Sequence, residues 1–163
     1  MPISPNPTDV AANADVQALL LAATQAHAAL MRGDSAGYRS FISLGDDFTL
    51  MAPMGGPPSR GGNYSDDEWA AIGRFFRNGR DSTLELVQAY RCDDMVVLAA
   101  IERTRVGVAD LPEQDWALRV TLVFRRDREQ WRLVHRHADP LAGGISVAES
   151  AELGRRAAAQ ERT

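Results

Sequence analysis

The stretch Trp131-Arg132-Leu133-Val134-His135-Arg136-His137-Ala138-Asp139-Pro140-Leu141 decides how this chain is read. It has the composition of a last strand, and Pro140 closes it because a proline cannot donate to a central ladder. It also holds two of the three histidines, His135 and His137, and is the densest cluster of groups able to do chemistry near neutral pH. Two positions apart on a strand, these histidines point the same way.

Upstream, Thr83 to Arg91, Met95 to Ala109, Trp116 to Arg126 and Gln130 to His137 have strand composition. They are separated by Asp93-Asp94, the segment from Asp110 to Asp115, and Asp127-Arg128-Glu129. Successive strands with short connections predict an antiparallel meander. Phe48 to Ala52 predicts one earlier strand, and the Gly- and Pro-rich run from Pro53 to Gly62 predicts a loop.

Helices precede the meander. Thr8 with Asp9 can cap a first helix whose stripe is Leu19, Ala23, Ala26 and Leu30, stopped at Gly33. Asp34 caps a second, where Tyr38, Phe41 and Ile42 share a face and Gly45 ends the element. Ser65-Asp66-Asp67-Glu68 is a capping box opening a third, with Trp69, Ile72, Phe75 and Phe76 on its apolar face and Gly79 as its stop. Ser146-Val147-Ala148-Glu149 opens a terminal helix over 146–162. Helices followed by a long antiparallel sheet make an α+β pattern. A long sheet curls, so the expectation is a cone-shaped curved antiparallel sheet with the N-terminal helices packed across its concave face. One domain is expected over residues 8–142, with residues 1–7 disordered.

Charge and composition exclude several classes. With 163 residues, a net charge of −4 and a pI of about 5.3, the chain lacks the basic face that nucleic acid requires. The apolar stretch from Ala18 to Leu30 is interrupted by Gln25 and His27 and is too short to span a membrane. A single cysteine, Cys92, excludes an internal disulfide and fits a reducing, cytoplasmic compartment. Its acidic neighbours Asp93 and Asp94 do not activate a thiol. All 18 basic residues are arginine. Lysine chemistry is therefore excluded, and any base is a histidine, a carboxylate, a tyrosine or Cys92.

The segment Trp131 to Asp139, together with Leu118 to Arg126, Ile101-Glu102-Arg103 and the loop Ala52-Pro53-Met54-Gly55-Gly56, resembles the SnoaL-like and ketosteroid-isomerase-like proteins of the nuclear transport factor 2-like superfamily. The Trp-x-x-Val-His-x-His ending is also similar to the association domain of calcium/calmodulin-dependent kinase. The resemblance spans about residues 10 to 142. It implies a cone of curved sheet with a pocket, a homodimer, and functions that range from isomerases, cyclases and dehydratases to purely structural modules.

Pairing the last two strands through a two-residue turn at Arg128-Glu129 sets Leu122 opposite His135 and Val120 opposite His137. One face then collects Leu118, Val120, Leu122, Phe124, Trp131, Leu133, His135 and His137, and hydrophobicity turns it toward the helices. The kinase association domain implies the opposite, because its ligand-binding arginines match Thr121, Ala138 and Glu102. A single bulge converts one reading into the other, so the inward face stays open.

Candidate chemistry follows from these positions. His135, His137 and Asp139 are candidate bases; in SnoaL-like cyclases an aspartate near the end of the last strand has that role, and Asp139 is the nearest match. Glu102 interrupts the apolar run from Val96 to Ile101, so it is either paired, with Arg119 or Arg136 on its own face, or functional. The steroid-isomerase resemblance would make it an oxyanion donor, a role that a neighbouring arginine defeats. Arg119, Thr121 and Arg136, with Tyr38 and Trp69 from the helices, are candidate ligand-binding residues. His27 on the first helix is expected in the core or at its rim. Two histidines do not make a metal site, and no cofactor is expected. The expected ligand is a small apolar or acidic molecule. It meets either proton-transfer chemistry on a carbonyl compound, simple binding, or an assembly domain filled by its own side chains.

Overall fold

The computed structural model describes residues 10–160. Thr8 and Asp9 lie outside them. The cap of α1 (Ala14–Met31) within them is Asn13, whose side chain accepts from the backbone N–H groups of Asp15 and Val16. Such a cap is worth about 1 kcal/mol. Leu19, Ala23 and Ala26 of the predicted stripe are buried together with Val16, while Leu30 is half-buried. The helix ends at Gly33, which takes the left-handed φ of +84° and returns two N–H bonds with Asp34, to the carbonyls of Leu30 and Ala29. Asp34 caps α2 (Ser35–Phe41). The Ser65 capping box opens α3 (Asp66–Phe75), and its aspartates and glutamate favour the positive end of the helix dipole.

The strands are β1 (Leu44–Met51), β2 (Ser59–Arg60), β3 (Phe76–Cys92), β4 (Met95–Val108), β5 (Gln114–Asp127) and β6 (Gln130–Pro140). A terminal helix, α4 (Val147–Gln160), follows and buries no residue. The six strands form one open curved sheet in the order β2-β1-β6-β5-β4-β3. From β3 to β6 it is the predicted meander.

Several details depart from expectation, among them Gly45, which does not end α2 but lies inside β1, α2 having stopped at Phe41. The sheet is mixed, because β1 runs parallel to β6; the long chain between them imposes no hairpin. The loop after β1 contributes the short strand β2, paired at Thr49 and Leu50. Gly79 does not end α3. It lies inside β3, where a Cβ would stand 2.5 Å from the backbone of Met31. The left-handed Asn78 and Asp81 let β3 begin at once by absorbing two irregularities in its pairing with β4.

Helix α1 crosses the sheet over β3 and β4, with α2 beside it. The core between helices and sheet contains Val16, Leu19, Ala23, Val96, Leu98, Leu122, Phe124 and Leu133. Inward residues alternate cleanly along β4 and β5, as expected of a sheet with one face packed and one face open.

Candidate ligand-binding pocket

The inward face of β6 changes phase at Val134. Phe124 pairs with Leu133, but the next residue of β5, Val123, pairs with His135, so Val134 is an extra residue. Before this bulge Leu133 points inward, and after it Arg136 and Ala138 do. The reading that placed both histidines inside is therefore corrected: the apolar residues of β5 face the helices as predicted, but His135 and His137 lie on the outer face. The association-domain positions divide as well. Glu102 and Ala138 face inward and Thr121 outward.

Inside, a cavity of about 410 Å³ separates the helices from the sheet. Its walls are mainly apolar, with Leu30, Ile42, Phe48, Leu50, Leu118 and Leu133 among them. Polar atoms come from His27 on α1, Tyr38 on α2, Tyr64 and Trp69 at the start of α3, Glu102 on β4 and Arg136 on β6. The aromatic rings are mutually packed: Tyr38 and Trp69 centroids are 5.7 Å apart, and Tyr64 meets Trp69 edge-on at 5.3 Å.

Arg136 and Glu102 form a two-pronged pair, Nη1 donating to Oε1 at 2.6 Å and Nη2 to Oε2 at 2.7 Å. They belong to different cross-strand rows, and the row between them carries Ala100, Val120 and Ala138. Alanine at its two ends leaves room for the arginine to reach across. Burial pushes the Glu102 carboxyl up, but Arg136, by charge and hydrogen bonding, and His27 outweigh it and hold the group below the ordinary glutamate value. Glu102 is thus the paired carboxylate of the two alternatives, and the role of a neutral oxyanion donor is defeated by Arg136.

His27 Nδ1 lies 3.7 Å from Glu102 Oε2, and Nε2 is buried without a hydrogen-bond partner among the described residues. Burial lowers the pKa of His27, Glu102 opposes that, Arg136 adds to it and the backbone of Arg103 opposes it, leaving a value below the ordinary one. Neutral imidazole is therefore the resting form at pH 7. Burial pushes Tyr38 up to about 12, so its hydroxyl remains a donor.

The remaining candidates are on the convex face. His135 Nδ1 and Thr49 Oγ1 are 2.7 Å apart. His137 pairs with Thr121 on one side and Met51 on the other. Arg119 holds Asp139 with two bonds, at 2.7 and 2.9 Å, in an exposed pair. Of the nine predicted site residues the cavity gathers four: Tyr38, Trp69, Glu102 and Arg136. It adds His27, expected only as a core or rim residue, whose signal was its phase with Ala23 and Leu30 on α1. Among the described residues no three His, Cys, Asp or Glu side chains are arranged to hold a metal ion.

An open curved sheet with helices across its concave face is the nuclear transport factor 2-like fold. The SnoaL-like domain matches residues 19–142, and the chain belongs to that family. No curated protein matches it significantly. Among solved structures, it resembles a candidate dehydratase of the nuclear transport factor 2-like family from Streptomyces avermitilis at 22% identity and a TM-score of 0.63, over 79% of this chain and 98% of the other. A nuclear transport factor 2-like protein from Cytophaga hutchinsonii matches at 15% identity and 0.62, over 79% and 99%. A candidate calcium/calmodulin-dependent kinase association domain from Thiobacillus denitrificans matches at 21% and 0.56, over 87% and 100%. At these identities the likeness is one of fold.

Proposed function

We propose that the chain takes a small, largely apolar, oxygen-bearing molecule into the cavity and carries out proton transfer on it. The observation supporting this is the gathering of His27, Tyr38, Glu102 and Arg136 in one otherwise apolar cavity. Each has a distinct capacity. Tyr38 donates a hydrogen bond and Arg136 supplies fixed positive charge, so together they favour a carbonyl oxygen on which negative charge develops. Glu102 has both oxygens engaged by Arg136 and is a poor base. Neutral His27 accepts a proton from the carbon beside the carbonyl, and that carbon's electron pair moves into the enolate. This replaces His135, His137 and Asp139 as the reading of the base.

A direct test uses 2-acetylnaphthalene in D₂O, with binding followed by tryptophan fluorescence and exchange of the acetyl protons by NMR. Faster exchange with the protein, lost in His27→Gln while the probe still binds, is the expected result. Binding without any faster exchange would rule out the proton-transfer half and leave a binding module. The candidate dehydratase among the structural neighbours accords with proton-transfer chemistry without specifying it.

The partner expected from the sequence, a second copy of the chain, belongs on the convex face. There Val97, Ala99, Thr121 and Val123 form a half-buried centre, with Tyr90 and Met51 exposed at its margins. Light scattering at micromolar concentration is expected to give twice the chain mass; a monomer would refute the pairing.

A further inference from the structure

The cavity contains one carboxylate and one guanidinium, and they neutralise each other. Among the lining residues only Glu102 and Arg136 are permanently charged, and their two bonds at 2.6 and 2.7 Å leave no unmatched charge of either sign. The charged groups beside His27 are Glu102 from β4 and Arg136 from β6, and Tyr38 from α2 and Tyr64 before α3 line the same cavity. With His27 neutral and Tyr38 protonated, the whole polar cluster sums to zero.

A neutral carbonyl or hydroxyl compound leaves that sum unchanged. A carboxylate adds a negative charge beside Glu102 in a low-dielectric space and competes with it for the same guanidinium. An unmatched charge in such a setting is strongly disfavoured. His27 is the group through which the cluster most readily becomes positive: Arg136 is already charged, Tyr38 has no further proton to take, and Glu102, despite its burial, is held below its ordinary value by Arg136 and His27. The His27 Nδ1 lies 3.7 Å from Glu102 Oε2, so a proton taken up by the ring stays within the same charge cluster.

We infer that the cavity selects its ligand by charge, taking neutral oxygen-bearing molecules directly and a carboxylic acid only together with one proton placed on His27. This rests on the cavity being the ligand site, and it narrows the apolar or acidic molecule expected from sequence to a neutral one.

Two probes of matched shape test it: 2-acetylnaphthalene and 2-naphthoate, the latter ionised at any pH well above the ordinary carboxyl pKa. At about pH 8.5 the ketone is expected to bind at least about tenfold more tightly, the cost of one unmatched buried charge far exceeding a single hydrogen bond. As pH falls toward about 6.5, naphthoate affinity should rise by about tenfold per pH unit, the slope of one linked proton. Calorimetry of the unmodified protein in two buffers of different ionisation enthalpy should register that proton directly for naphthoate and none for the ketone. In His27→Gln the pH dependence of naphthoate binding should disappear. Equal affinities at about pH 8.5, or naphthoate binding without proton uptake, would overturn the charge rule while leaving the pocket reading intact. Failure of both probes to bind would overturn the pocket reading and the rule with it.

Discussion

Two arginine–carboxylate pairs occupy opposite faces of the same sheet. Arg136 grips Glu102 on the concave side and Arg119 grips Asp139 on the convex side, each through two bonds of 2.6 to 2.9 Å. Their chemistry is the same and their surroundings are not. The side chains of the inner pair are 22% and 5% exposed, those of the outer pair 63% and 40%. Water and salt screen the outer pair, and removing it exposes nothing. The inner pair stands where each charge depends on the other. Burial, rather than bond geometry, separates a surface ion pair from a fixed electrostatic feature of a pocket.

Removing one partner of each pair tests this contrast. Glu102→Gln leaves the Arg136 guanidinium without its counter-charge and is expected to cost about 3 kcal/mol or more, measured by urea unfolding. Asp139→Asn, measured in the same way, should cost only a small fraction of that. Similar losses for the two variants would mean that the cavity is well enough solvated to screen its own charges. In that case the inward pair would lose its special status, and the charge selectivity built on it would weaken too.

The outer architecture was legible because it rests on local signals. Ser65-Asp66-Asp67-Glu68 satisfies a helix start by its own spacing, and the alternation along Met95 to Val108 reports one buried face. The parallel pairing of β1 with β6 has no local signal, because it joins segments far apart in sequence. The inward face of β6 turned on one residue. Both phases of Leu133-Val134-His135-Arg136 place an apolar residue inside, so hydrophobicity alone cannot locate the extra one. Charge could have done so. Glu102 interrupts an apolar strand and calls for a cation within reach, and Arg136 shares an inward face with Leu133 only if one residue is skipped between them. The demand of a buried carboxylate thus carried the information that the apolar pattern lacked. His27 was obscured differently: a histidine in phase with Ala23 and Leu30 looks the same whether its neighbours are core or cavity.

Two groups on the concave side, His27 and Glu102, carry the comparison into pH. His27, on the concave side, has its folded pKa lowered, chiefly by burial, below the ordinary 6.5 that it regains on unfolding. Above that value both states hold it neutral, and it contributes no pH dependence. As pH falls below 6.5 the unfolded chain takes up the proton first, so stability declines until the folded value is also passed. Glu102 acts in a lower window. Its folded pKa lies below the ordinary 4.5, so its contribution is complete above 4.5 and is lost only as pH falls through the folded value. Between about pH 7 and 5 the decline in melting temperature should therefore be reduced in His27→Gln. Scanning calorimetry at several pH values decides it. A decline that persists unchanged in His27→Gln would assign the titration elsewhere, and would show that the imidazole beside Glu102 is more open to water than its burial implies.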